Sequence, residues 1–309
     1  FHINVFCHRP ARPDAQVESN WLAQMAPLFK QFSAKPPTAL RGIYRSFLVD
    51  PDMLTMLLEG RPSVVSFHFG LPSAEVISAL REAGIILLAS ATSVAEAQLV
   101  QAAGLQGVVA QGWEAGGHRG VYDLDGLDEK LPALDLTRKL VQALNIPVIA
   151  AGGLMNGTDI ATALSAGASA AQLGTAFIDC PESLADAAYR SRLHSSAAKE
   201  TTMLADVSGR LARCLRNDFT DWAAGRTGSQ VPDYPIAYDA GKALNAAAKA
   251  AGESGFGAQW AGTGAPRARC LPAAQLVEVL TQELSAAPVS STHLTLPKKR
   301  KVEIPVGRG

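Results

Sequence analysis

His118 is the residue in this sequence best suited to move a proton. An imidazole titrates near neutral pH, which fits it for general acid or base work. It stands in the run Gln111-Gly112-Trp113-Glu114-Ala115-Gly116-Gly117-His118-Arg119-Gly120. Ala115, Gly116 and Gly117 are three small residues in a row. They let the backbone approach a flat ligand closely and leave N–H groups uncovered. A lone Gly-Gly-His would read as a turn carrying an ordinary surface histidine. Here the run directly follows an apolar stretch with the look of a buried strand. Its groups therefore fall at the carboxyl end of that strand, the face on which parallel α/β folds bind ligands.

A second constellation lies downstream. Pro147-Val148-Ile149-Ala150-Ala151-Gly152-Gly153 leads into a helix from Asn156, and Ala170-Ala171-Gln172-Leu173-Gly174-Thr175 follows. Two successive strands that end in glycine offer loop N–H groups to an anion, and a helix dipole favours the same charge. One such loop would mean no more than a tight turn. Two of them, one βα unit apart, point to a phosphate-bearing cofactor at Gly152, Gly153 and Gly174. The sequence has no GxGxxG after a first strand, which disfavours a Rossmann dinucleotide site. His68, also at a strand end, is a weaker candidate, either as cavity wall or as a structural hydrogen-bonding group. Trp21, Trp222 and Trp260 read as packing residues. His2, His8, His194 and His293 show no metal-ligand spacing and receive no role. Residues 210–216 read as a solvated helix face, with covering the cofactor or binding an anion as the alternative, and Cys180 lacks a partner base.

These groups must be positioned by alternating strands and helices. Short apolar runs at 3–6, 63–67, 85–89, 107–111, 147–151 and 170–173 read as strands buried on both faces. Amphipathic stretches at 73–83, 93–103, 135–144 and 158–166 read as helices between them. Ser73 caps one, and Ser93 with Glu96 has capping-box spacing. Repeated βα units with short loops imply an open doubly wound sheet or a closed (β/α)8 barrel. In such barrels phosphate sits after strands 7 and 8. That order makes the six strands numbers 3 to 8, and the first two βα units are expected to be missing. The expected division is a barrel over 1–190, a small helical insertion or lid over 191–265, a returning helix within 266–287 and an unstructured tail over 288–309.

The chain has 309 residues, of which 48% are hydrophobic and 18% charged, enough for a sizeable core. Lys plus Arg and Asp plus Glu both number 28, so the net charge is zero and nothing suggests a nucleic-acid surface. No apolar run reaches the ~18 residues a membrane span needs. Cys7, Cys180, Cys214 and Cys270 are scattered without a CxxC pair, consistent with reduced thiols and a cytoplasmic protein. The chain opens at Phe1-His2-Ile3 without Met or leader. Near the other end, Pro297-Lys298-Lys299-Arg300-Lys301-Val302 matches a viral nuclear-import signal and is expected to be a vector remnant outside the fold.

Together, QGWEAGGHRG, PVIAAGG and AAQLGTAFI resemble the nitronate monooxygenases, also called 2-nitropropane dioxygenases, over about residues 4–284. Ser66-Phe67-His68-Phe69-Gly70 and Trp260-Ala261-Gly262-Thr263-Gly264 add to the likeness. The resemblance implies an FMN-dependent (β/α)8 barrel. It implies that Asn4, Gln111, Gly116 and Gly153 touch FMN, that Gln172, Leu173, Gly174 and Thr175 hold its phosphate and nearby groups, and that His118 is the active-site histidine. Gly117 and Gly152 join the expected cofactor set from the loop reading above. The implied reaction is oxidation of an alkyl nitronate or nitroalkane by O2 to a carbonyl compound and nitrite. Expected partners are the small substrate and O2, with no nucleic acid, membrane or metal, and a homodimer is left open. The alternatives are a flavin-type enoyl-ACP reductase using NAD(P)H, which shares an EAGGH-like loop, and an inactive truncated barrel.

Overall fold

The computed structural model describes residues 1–226 and 230–288. The basic cluster at 297–302 and His293 lie outside the described residues. The described residues form nine strands: β1 (His2–Phe6), β2 (Val64–His68), β3 (Ile86–Ala91), β4 (Gly107–Gln111), β5 (Gly117–His118), β6 (Val148–Ala151), β7 (Ala170–Gln172), β8 (Thr201–Leu204) and β9 (Ala212–Leu215). The α-helices are α1 (Ala15–Gln31), α2 (Pro51–Gly60), α3 (Ala74–Glu82), α4 (Val94–Ala102), α5 (Ala133–Ala143), α6 (Gly157–Ser165), α7 (Ala187–Leu193), α8 (Asp218–Ala224), α9 (Ile236–Ala250) and α10 (Ala273–Ala286). None is long and apolar enough to cross a membrane.

Six strands form one curled parallel sheet in the order β1-β2-β3-β4-β6-β7, and these are the six read from the sequence. The central strands are mainly apolar because helices cover them, and in β4 all five residues are buried, whereas the edge strands β1 and β7 are more exposed. Register brings the carboxyl ends level: Phe6 pairs with His68, Gln111 with Ala151, and Ala151 with Gln172. The βα turns are set by local caps. The Ser73 hydroxyl accepts from Val76 N, Ser93 from Glu96 N, and the Asn156 side chain from Asp159 N. The capping box at Ser93 is only half formed. The Glu96 carboxylate reaches back one residue further, to Thr92 N at 2.6 Å.

A second, three-stranded antiparallel sheet, β5-β9-β8, was not expected from the sequence. It corrects the reading of 210–216 as a solvated helix face. Ala212–Leu215 is the buried central strand, and Arg210 and Arg213 are only 4% and 6% exposed. The Arg213 guanidinium is accommodated because it donates to Trp113 O and Thr201 Oγ1 and lies over the Trp113 ring. One core fills the space between the parallel sheet and its helices, around Val65, Phe67, Leu80, Leu87, Val100 and Leu136. Another joins α1 to α9 around Trp21, Met25, Phe29 and Leu244. Trp21 and Trp222 pack edge to face there, as the packing reading required.

Candidate active site

The level strand ends form the floor of a cavity of about 470 Å³. Every residue singled out from the sequence lines it. Asn4 comes from β1 and His68 from β2. Gln111 ends β4, and Gly116, Gly117 and His118 follow it. Gly152 and Gly153 extend β6, and Gln172, Leu173, Gly174 and Thr175 close the far side after β7. The opposite wall is aromatic: Tyr44, Tyr234, Tyr238 and Trp260. Sequence reading missed the three tyrosines, of which Tyr234 and Tyr238 stand four residues apart at the start of α9 and Tyr44 lies far from both in the chain. It placed Trp260 in packing, whereas the indole lies 5.0 Å from the His118 ring. The only available signal was the Trp-Ala-Gly-Thr-Gly run that follows this wall residue.

His118 is held in an aromatic box. Its ring meets Tyr234 at 5.1 Å and Phe69 at 5.6 Å. Its Nε2 lies 2.9 Å from Ser208 Oγ, and that hydroxyl is 3.2 Å from Arg210 O. A carbonyl only accepts, so the Ser208 proton points to Arg210 O and His118 Nε2 must donate to Ser208. The Nδ1 lone pair is then left without a partner among the described residues. Burial, helped by neighbouring His68, Arg210 and His8, pulls the His118 pKa down to about 3. The ring is therefore neutral at physiological pH, with an unprotonated nitrogen available to a ligand.

The loop that carries His118 is clamped from below. Gln111 donates from Nε2 to His118 O at 2.9 Å and accepts from Gly120 N at 2.8 Å. His68 Nε2 also donates to His118 O, which leaves His68 Nδ1 to accept from Ser90 Oγ at 2.9 Å. His68 thus serves as both cavity wall and hydrogen-bonding post, and burial lowers its pKa to about 4. Arg119, 1% exposed, donates to Gln111 O at 2.6 Å and forms a two-pronged pair with Asp128. Gly116 permits the close approach of the 261–262 backbone; a Cβ there would lie 2.4 Å from Gly262 N.

The two glycine loops differ in what their glycines do. Gly152 and Gly153 adopt φ values of 121° and 71°, open to glycine and strained for other residues. Gly174 has no such backbone need, and a Cβ on it would meet nothing within 4 Å. Protein packing gives no reason for glycine there, and a side chain would fill the cradle. Gly153 N and Gly174 N have no hydrogen-bond partner among the described residues. Behind the loop, Arg267 donates to Gly153 O and Arg269 to Met155 O, drawing those carbonyls outward. Asn4 Oδ1 accepts from Ser66 Oγ at 2.7 Å, and its amide nitrogen has no partner among the described residues. Unpartnered donors and an open glycine suit a phosphate-bearing ligand with a polar edge. No His/Cys/Asp/Glu group suited to a metal occurs among the described residues.

The sequence profile for nitronate monooxygenase matches residues 1–283. The chain is 58% identical over 284 residues to a nitronate monooxygenase of Paraburkholderia phytofirmans, covering 92% of this chain and 78% of that one. It is 51% identical to the nitronate monooxygenase of Pseudomonas aeruginosa, covering 92% and 81%. Among solved structures, a nitroalkane oxidase from Streptomyces ansochromogenes superposes with a TM-score of 0.83 at 37% identity, covering 93% of this chain and 81% of that one. On a profile match over residues 1–283 and identities above 50% across most of its length, the chain belongs to the nitronate monooxygenase family.

Proposed function

We propose that this chain binds FMN in the cavity and oxidises alkyl nitronates or nitroalkanes with O2, giving a carbonyl compound and nitrite. The observation that carries this reading is His118, with an unpartnered Nδ1, lining a cavity that Gly153 and Gly174 also line with unpartnered N–H groups. The bound flavin would supply the electron transfer between substrate and O2. Gly153, Gly174 and Thr175 would hold its phosphate, and Asn4 would donate to its polar edge. The tyrosines and Trp260 would keep water from the reacting atoms. Toward a nitroalkane, His118 would accept the α-proton at Nδ1; toward a nitronate, it would only position the anion.

We infer further that the six parallel strands correspond to strands 3 to 8 of a (β/α)8 barrel, since the glycine loops then fall after strands 7 and 8. Tyr234, Tyr238 and Trp260 reach the cavity from 191–265, which supports that segment as its cover. The test is the visible spectrum of the purified chain. A flavin spectrum that survives desalting, followed by nitrite release from nitronates, is the expected result. A colourless chain that refuses added FMN overturns the reading, and rapid flavin reduction by NADPH with no nitrite would replace it with a reductase.

A further inference from the structure

Arg210 is a buried cation without a direct counter-ion. It is 4% exposed, its Nε has no hydrogen-bond partner, and no described carboxylate pairs with it. Its Nη2 donates to Val121 O. The N–H of that same peptide group, on Tyr122, donates to Glu96 Oε1 at 2.7 Å. One peptide thus lies between a guanidinium and a carboxylate, bonded to each by its opposite pole. The other Glu96 oxygen is taken by Thr92 N and Oγ1, so the carboxylate is fixed as well.

The result is an oriented dipole with its positive end toward the cavity. The guanidinium carbon lies 4.0 Å from the centre of the Phe69 ring. That ring is 5.6 Å from His118 and 5.7 Å from Tyr234, both of which line the cavity. The Arg210 carbonyl receives the Ser208 hydroxyl that holds His118. Consistent with this direction, Arg210 depresses the pKa values of His118, His68 and His8, whereas Glu96 acts on Tyr122 and on Arg210 itself. Tyr234 and Arg9 are the other ionisable groups that act on the guanidinium. The surrounding histidines are neutral and add no positive charge of their own.

We propose that Arg210, backed by Glu96 through the 121–122 peptide, makes this cavity selective for small oxyanions, favouring an anionic nitronate over a neutral nitroalkane and retaining nitrite. Arg210 does not line the cavity; it is a positioning charge acting across Phe69. The proposal rests on the nitronate-oxidising function and names the charge that would select its substrate.

The experiment titrates nitrite by calorimetry into the full chain, with FMN bound and with FMN removed, for wild type, Arg210→Met, Arg210→Lys and Glu96→Gln. Thermal melts confirm that each variant is folded. Arg210→Met is expected to weaken nitrite binding roughly tenfold, the scale of one charge acting over several ångströms inside a protein. Arg210→Lys is expected to restore most of the loss. Glu96→Gln removes the opposing charge and is expected to tighten binding, and this opposite sign is what general damage to the loop would not produce. The ratio of kcat/KM for nitronate to that for nitroalkane should move in the same directions. Wild-type affinity in Arg210→Met, or equal weakening in Arg210→Met and Glu96→Gln, overturns the proposal. If Arg210→Met does not fold, the sign of the Glu96→Gln change decides. A chain that obeys the charge rule without FMN but never binds FMN would sink the flavin reading alone.

Discussion

His118 can act as a base only because of where its one proton is kept. Ser208 takes the Nε2 hydrogen, so Nδ1 keeps its lone pair. His118→Asn is therefore expected to slow nitroalkane turnover by about 10²–10⁴-fold, the usual worth of a general base. Nitronate turnover should fall much less, since no α-proton has to leave; equal losses in steady-state assays of both substrates would assign His118 to charge positioning alone. Ser208→Ala should lower nitroalkane turnover about two- to tenfold, matching one net hydrogen bond of roughly 0.5–1.5 kcal/mol. With the pKa at about 3 in the free cavity, the pH profile of nitroalkane kcat/KM should show no downturn from this residue between about pH 5 and 8. Gly174→Ala is expected to leave the melting temperature unchanged, because its Cβ meets no protein atom, yet to weaken FMN binding measured by fluorescence quenching.

At the level of elements, the histidine loop depends on Arg119, which ties the end of β4 to Asp128. Arg119→Met leaves a half-buried carboxylate and a strand-end carbonyl unpaired, and should cost about 1–3 kcal/mol by chemical denaturation. Gly116→Ala should lower the melting temperature as well as activity, because its Cβ would clash with the 261–262 backbone. The parallel sheet was readable from the sequence because its strands are short apolar runs and Ser73, Ser93 and Asn156 mark the helix starts. The glycine loops were readable because strand-end glycines are rare outside turns and sites. The small antiparallel sheet was hidden for a physical reason. Ala212-Arg213-Cys214-Leu215 carries a cation that is buried only because Trp113 O and Thr201, some distance away in sequence, satisfy it. Nor does any motif announce Tyr44 or the Tyr234–Tyr238 pair at the start of α9, which converge on the cavity from two distant parts of the chain.

For the whole molecule, three buried histidines set the acid side of stability. Burial lowers His8 and His68 from 6.5 to about 4, and His118 to about 3. The unfolded chain takes up these protons as pH falls below about 6.5, while the folded chain refuses them until near their lowered values. Stability should thus be level in this respect above pH ~6.5 and decline below it. The limiting slope is about 1.4 kcal/mol per pH unit for each histidine, measurable as urea midpoints against pH. The double variant His8→Phe/His68→Gln should flatten the decline. One further consequence follows from the bond between His118 and Ser208, which joins positions 90 residues apart in the chain. Closing so long a loop is entropically slow, and contacts of this kind form late. The parallel sheet can assemble from neighbouring βα units before the His118 imidazole has acquired its tautomer. During refolding, recovery of helical circular dichroism should therefore precede recovery of catalysis, making enzymatic competence a clock for the last event of folding.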